Sequence, residues 1–400
     1  MNGSAGLRAR EFPGWRYNFN PGTLGTTSRR VRAALVSFGE DDDRAAFPLG
    51  AYGAGREGLV RVRASARALW GEGDVAFGAG TTAQMNLLVH ALARTLRIRG
   101  SARHVVLTTA HEHEGGVGGF EAHPDYAVRY CADAALSDPG RWADEVRAAR
   151  PEVVLLSQIT WTEGRILPLA EMVDAVRHHA PHAWVIVDAA QALGATQPAL
   201  GLGDVTVASA HKWLCGPPGT GFTWVGARAR EALGGVSWVG HPLDPESPLP
   251  QWEVAGGQDF ARYAGLAAAM DLYGELGIEA ARRHSAALAA RFASGFDRLL
   301  GEAGVRRAWF DPESAAWGEA PTAVGAPTLV VRFDAFDPYP LYARLNAAGV
   351  HLKCVKGRTP VGGELNQLRI GLPWYETDER VDEALARVEG ALNGRADYKT

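Results

Sequence analysis

Asp188 and Lys212 each stand just beyond a short apolar run. Val185-Ile186-Val187 leads into Asp188-Ala189-Ala190-Gln191, and Val205–Ala208 leads into Ser209-Ala210-His211-Lys212-Trp213. Gly216-Pro217-Pro218-Gly219-Thr220-Gly221 follows, a turn too rich in glycine and proline to be helical. A lysine amine condenses with an aldehyde, and a carboxylate can pair with a protonated ring nitrogen and keep it charged. Singly, each residue has an ordinary explanation: a strand-end hydrogen-bond acceptor for the aspartate, a solvated cation for the lysine. Composition weakens the second. Of 41 basic side chains only four are lysine (Lys212, Lys353, Lys356 and Lys399), and the rest are arginine, which cannot form a Schiff base. Lys353 is the other candidate of this kind, and it is expected in a smaller domain, away from the loop cluster.

These residues need elements to position them. From Asp74 onward the chain alternates apolar runs with helical patterns. Val75–Phe77, His104–Thr108, Tyr126–Tyr130, Val153–Ser157, Trp184–Val187, Val205–Ala208 and Phe222–Val225 read as buried strands. Gln84–Arg97, Arg141–Ala149 and Leu169–His179 read as helices between them. Alternating strands and helices predict βαβ units, a mostly parallel sheet between helices, and a ligand site beyond the carboxyl ends of the strands. The first 60 residues read as irregular, with an acidic run at Glu40–Asp43 that suits a solvated loop or helix end. A helical region over Ala261–Leu300 and a break at Ala316–Pro327 precede Thr328–Phe333, a helix near Tyr339–Ala348, Val350–Cys354, Gln367–Gly371 and a last helix over Thr377–Leu392. The expected division is an N-terminal segment (1–60) packing on the active site and small domain, a large domain (61–258), inter-domain helices (259–300) and a small α+β C-terminal domain (301–400).

A carboxylate and a lysine, each at a strand end, are the pairing that a pyridoxal phosphate (PLP) enzyme requires. Gly80-Thr81-Thr82, between a strand and a helix, offers backbone N–H groups and hydroxyls to a phosphate; an ordinary threonine cap is the plainer alternative. The Asp188 and Lys212 segments, with the Gly216–Gly221 turn, resemble the signature of class V aminotransferases. That fold-type I group includes cysteine desulfurases, kynureninases and isopenicillin-N epimerases. Asn20-Pro21-Gly22-Thr23-Leu24-Gly25, Gly80-Thr81-Thr82-Ala83-Gln84-Met85-Asn86, and Leu368-Arg369-Ile370 with Tyr375-Glu376-Thr377 resemble its opening, phosphate and carboxylate-binding segments. The opening loop matches best in the isopenicillin-N-epimerase-like branch.

The resemblance implies a PLP enzyme in which Lys212 carries the cofactor and Asp188 pairs with its ring nitrogen. It places Thr81, Thr82, Ser209 and His211 around the phosphate, Gln191 on the phenolic oxygen, and His113 stacked on the ring. Arg369 would bind the substrate carboxylate, with Trp161 and Asn20 bordering the substrate; Trp161 stands where desulfurases carry asparagine. Trp161, His113, Phe19 and Asn20 hint at a bulky or conjugated substrate. A homodimer with shared active sites is also implied, although the segment Ala255-Gly256-Gly257-Gln258 lacks the threonine that would reach a partner's phosphate. Cys354 comes several positions before the desulfurase nucleophile, which would fall near Arg358, so sulfur transfer through a persulfide is not expected. The favoured reaction is β-elimination of C–S lyase type on a cysteine-conjugate-like amino acid in specialised metabolism. The alternatives are an amino-acid epimerase and a class V aminotransferase.

Composition excludes several other classes. A formal net charge of −4 argues against nucleic-acid or membrane-surface binding. No apolar run reaches the roughly 18 residues of a membrane span. Cys131, Cys215 and Cys354 are too few and too scattered for a disulfide framework and suit the cytoplasm. His111, His113, His178, His179 and His182 have no metal-ligand spacing. No Gly-x-Gly-x-x-Gly after a strand or Walker lysine points to a nucleotide enzyme. A catalytically silent relative would be expected to lack Lys212 or Asp188.

Overall fold

The structure is a computed structural model that describes residues 2–14, 17–40, 48–71, 73–97, 103–233, 241–242, 244, 247, 249–255, 259–311, 315–322, 325–334 and 336–393. Seven strands form the central sheet: β1 (Asp74–Gly78), β2 (His104–Thr108), β3 (Tyr126–Tyr130), β4 (Val153–Ser157), β5 (Trp184–Asp188), β6 (Val205–Ser209) and β7 (Gly221–Val225). Their spatial order is β1-β7-β6-β5-β4-β2-β3, and only β7 runs antiparallel to its neighbours. Every residue of β4 and β5 is buried, as a parallel strand covered on both faces requires.

Alternation along these strands assigns side chains to two layers. Val154, Leu156, Val185 and Val187 pack under the helices Pro139–Ala149 and Leu169–His179. Val153, Leu155, Trp184 and Ile186 pack with the helix Thr81–Arg97 on the other side. Leu169, Met172, Val173 and Val176 supply the apolar stripe of one helix. The helix Pro139–Ala149 starts where Asp138 accepts hydrogen bonds from the Gly140 and Arg141 amides, and Trp142 Nε1 donates to the Met172 carbonyl at 2.9 Å.

The small domain carries an antiparallel sheet of β8 (Arg307–Asp311), β9 (Ala316–Gly318), β10 (Thr328–Phe333), β11 (Lys353–Arg358) and β12 (Glu364–Gly371), ordered β9-β8-β10-β12-β11. A core of Phe292, Phe296, Trp309, Val331, Leu341 and Leu368 lies behind it. The helices Ala261–Leu276 and Ile278–Glu302, broken at Gly277, bridge the two sheets.

Two sequence expectations need correction. The opening residues are largely helical rather than irregular: Asn2–Glu11, Arg29–Glu40 and Pro48–Trp70 are helices, and the last crosses residue 60. Arg29–Glu40 and Pro48–Trp70 pack closely on Ala261–Leu276, a tertiary contact helped by small residues; a side chain at Gly58 would come within 2.9 Å of Tyr263. The Ala316–Pro327 break likewise contains β9. The rest of the acidic run beyond Glu40, and Gly256-Gly257-Gln258, lie outside the described residues.

Candidate active site

The carboxyl ends of the parallel strands, the opening segment and the inner face of the small-domain sheet enclose one cavity of about 510 Å³. Gly22, Thr23, Gly80, Thr81, Thr82, His113, Trp161, Asp188, Ser209, His211, Lys212 and Arg369 all border it. The sequence scatters these residues across most of the chain. The strand order brings them together, because β5 and β6 are neighbours and the loops following them share one edge.

Asp188 ends β5 and is 4% exposed. Its Oδ1 accepts a hydrogen bond from the Ala190 amide at 2.8 Å, whereas Oδ2 takes none among the described residues. A Cβ added to Gly116 would lie 3.1 Å from Oδ2, so the absent side chain leaves the free oxygen open to the cavity. Burial raises the Asp188 carboxyl above its ordinary range; the Lys212 charge and the Ala190 amide oppose this. Burial lowers Lys212 to about 8, with Arg369 adding to the shift and Asp188 opposing it. Near neutrality a useful fraction of this amine is therefore unprotonated.

At the other end of the cavity, Gly80 has φ +118, a conformation that other residues rarely adopt, and it turns the chain into the helix Thr81–Arg97. The Thr81 amide donates to Ser209 Oγ at 3.0 Å, and the two hydroxyls are 2.9 Å apart. Thr82 Oγ1 sits where a Cβ on Gly115 would intrude, at 2.3 Å. His211 Nδ1 lies 3.0 Å from the Thr220 carbonyl, which can only accept, so Nδ1 donates. This helix N-terminus with three hydroxyls could hold a phosphate.

His113 caps the helix Glu114–Ala122, its Nδ1 accepting from the Gly115 amide at 2.9 Å. The ring meets Trp161 edge-on, with centroids 5.3 Å apart. Burial, then Lys212, Arg369 and Lys353, lower His113 to about 4, so it is neutral at physiological pH. Trp161 Nε1 donates to the Glu112 carbonyl at 3.0 Å, and the Trp161 carbonyl accepts from Arg369 Nη1 at 2.9 Å. Arg369 is 5% exposed and is held by neutral acceptors: the Trp161 carbonyl, Asn20 Oδ1 at 3.2 Å and Thr23 Oγ1 at 3.5 Å. No carboxylate among the described residues pairs with it. A buried guanidinium without a counter-ion is costly unless a ligand supplies the charge.

Asn20 reaches the site through Arg369, and neither Asn20 nor Gln191 borders the cavity. Gln191 Nε2 donates to the Gly22 carbonyl at 2.9 Å, and its Oε1 accepts from Trp213 Nε1 at 3.0 Å. It thus ties the opening loop to the Lys212 segment. Gly22 must be small, because a Cβ there would meet Gln191 Oε1 at 2.6 Å and Arg369 Nη2 at 3.1 Å.

Phe19 does not face a substrate: it is fully buried in the small-domain core against Phe292. Lys353 was expected away from the loop cluster, and it lines the cavity with Cys354 and Lys356. Its β11 strand pairs with the Arg369 strand, a contact visible only once both are in the sheet. Glu112 is another residue that sequence reading passed over. Its carboxylate accepts from Thr109 Oγ1 (2.9 Å), the Ser157 amide (3.0 Å) and Ser157 Oγ (2.5 Å). Among the described residues no group of three or more His, Cys, Asp or Glu could hold a metal.

The residues present therefore fit PLP: a phosphate cradle, an accessible amine, and a buried carboxylate with one free oxygen. Fold and site together define a PLP-dependent enzyme of fold type I. The sequence profile of the class-V aminotransferases matches residues 61–308, and the chain belongs to that family. A curated cysteine desulfurase of Haloferax volcanii is 27% identical over 283 residues, covering 66% of this chain but only 59% of that relative. Among solved structures, the apo cysteine desulfurase of Thermococcus onnurineus NA1 superposes with TM-score 0.76 at 16% identity, covering 97% and 98% of the two chains. The cystine C–S lyase C-DES with its reaction product cysteine persulfide gives 0.77 at 19% identity, covering 95% and 99%. A C-DES mutant with glycine covalently linked to the PLP cofactor gives 0.78 at 19% identity, covering 95% and 98%. At these identities the superpositions show a shared fold. No helix among the described residues is long and apolar enough to cross a membrane.

Proposed function

We propose that this chain is a PLP-dependent C–S lyase that removes the β-sulfur substituent of a cysteine-conjugate-like amino acid in specialised metabolism. The observation that carries the reading is Arg369, a buried guanidinium without a counter-ion in the same cavity as Lys212 and Asp188. Its planar fork suits a substrate α-carboxylate, which orients the amino acid with Cα toward Lys212. When bound, PLP supplies the electron sink that acidifies Cα. Lys212, lowered to about 8, takes that proton on Nζ. The C–S bond then breaks with its electron pair leaving on sulfur as thiolate, and hydrolysis of the remainder yields pyruvate and ammonia. Asp188, whose Oδ2 takes no other hydrogen bond among the described residues, would pair with the ring nitrogen and keep it protonated.

Elimination is favoured over sulfur transfer because Cys354, although it borders the cavity, is partly taken up by the small-domain core. It lies opposite Leu368 in the β11–β12 register, and Leu368 is in the small-domain core. Cys354 packs against that core, and burial raises its thiol above the ordinary value. We also take the working unit to be a cytoplasmic homodimer with shared active sites. Exposed Val36 (58%), Val60 (53%) and Tyr52 (42%) on the helices Arg29–Glu40 and Pro48–Trp70 support an interface there.

Product analysis in deuterated buffer with S-alkyl-L-cysteines tests the reaction. Pyruvate, ammonia and thiol in equal amounts are expected. Cα exchange with inversion and no C–S cleavage would instead mean epimerisation. A 2-oxo acid retaining the sulfur, with pyridoxamine phosphate, would mean transamination.

A further inference from the structure

The cavity contains a cation that the proposed elimination does not use. Lys353 lies on β11, the edge strand of the small-domain sheet, directly opposite Arg369 on β12. Directly paired residues of neighbouring strands project from the same face, their Cβ atoms about 5 Å apart. Ammonium and guanidinium therefore share one wall. The same face carries Gln367, whose Nε2 donates to the Thr162 carbonyl beside Trp161 at 2.5 Å. Cys354 and Lys356 also border the cavity, but Cys354 packs in part on the small-domain core, and Lys356 Nζ pairs with Asp337 at 2.8 Å. Lys353 has neither an ion pair nor a side-chain hydrogen bond among the described residues.

Nothing else in the site requires this charge. The phosphate cradle is built from Thr81, Thr82, Ser209 and His211. One Arg369 fork satisfies one carboxylate. Lys353 acts on the substrate side of the cavity, where its field helps depress His113, whereas His211 is depressed by burial and Lys212. Arg369 is deeply buried and Lys353 only half-buried, so the second cation lies further toward solvent, where a substituent leaving the amino acid would extend.

We propose that Lys353 binds a second carboxylate, carried on the β-substituent of the substrate, and that the enzyme thereby selects dicarboxylic cysteine conjugates over neutral ones. This rests on the reading of the cavity as an amino-acid site with Arg369 on the α-carboxylate.

The test uses the PLP-loaded enzyme and two matched probes, S-(2-carboxyethyl)-L-cysteine and its neutral isostere S-(2-carbamoylethyl)-L-cysteine. Dissociation constants come from the stopped-flow change in the cofactor's visible band, and kcat/KM from thiol release. The wild type should bind the carboxylate about tenfold or more tightly than the amide. Lys353→Met should abolish that preference while leaving amide binding unchanged, and Lys353→Arg should retain most of it. Equal binding of the two probes by the wild type overturns the second subsite and leaves the amino-acid reading standing. Equal weakening of both probes by Lys353→Met also overturns it, placing Lys353 on the α-carboxylate instead. If neither probe perturbs the wild-type band, the amino-acid reading itself fails and the subsite falls with it.

Discussion

Two sheets face each other across the cavity, and they build their halves of the site differently. The seven-stranded sheet contributes loops beyond its strand ends: Gly80–Thr82, Glu112–His113, Asp188 and Ser209–Lys212. The small-domain sheet contributes a face, with Lys353 and Arg369 projecting from within paired strands. Loops at a parallel sheet's edge hold catalytic groups in short contiguous motifs. A sheet face holds them by register, with one residue from each strand. On the proposed reading, the first half supplies the groups for cofactor chemistry and the second the positive charge that receives a substrate. That reading puts reaction class and substrate choice in structures that can vary separately.

The largest effect should come from breaking the loop half. Lys212→Arg preserves the charge but cannot condense with an aldehyde, so it should remove the visible cofactor band and lower kcat about 10³-fold or more. Retention of the band would sink the assignment of Lys212. On the face half, Arg369→Lys keeps a cation but loses the fork; it should raise KM for amino-acid substrates by about 10²-fold while the band persists. A fall in kcat with unchanged KM would show that the two halves are not separable in this way.

A smaller effect concerns Lys212 itself. With its amine lowered to about 8, the rate at which apoenzyme takes up PLP should rise as pH increases through about 8, because only the neutral amine is nucleophilic. A midpoint near the ordinary lysine value of 10.5 would mean that the cleft does not desolvate the group.

The smallest expected effect involves Glu112, the buried carboxyl beneath the loop half. Burial raises it from 4.5 to about 7; the Ser157 hydroxyl opposes this, and Asp188 adds to it. Between those values the folded chain binds more proton than the unfolded one. Its stability contribution is therefore full below 4.5 and is lost as pH rises through 7. Glu112→Gln should flatten the fall in Tm over that interval by a few degrees relative to wild type. Identical slopes would show that Glu112 does not titrate there.

Much of the loop half was legible in the sequence because the motif and its strand are adjacent in the chain. Val185-Ile186-Val187 signals a buried strand, and the next residue is Asp188. The helices of the opening residues were missed although Val31, Leu35 and Phe38, and Leu59, Val62, Ala66 and Trp70, recur at helical spacing, because the glycines and prolines around them read as loop. Asn20 was named as a substrate neighbour, but its contact with Arg369 spans 349 residues, and it acts by holding that side chain.

By itself, the sequence determined the chemistry available to this chain: an imine-forming lysine in a protein nearly free of lysine, a strand-end aspartate, and a hydroxyl-rich turn for phosphate. These follow from residue type and local pattern, which are properties of short segments. Only the tertiary structure decided that Lys353 borders the cavity and that Phe19 does not. Each of those outcomes depends on the direction of a side chain from a paired strand or packed segment. Direction is set by register between distant parts of the chain, and a shift of one residue would reverse it.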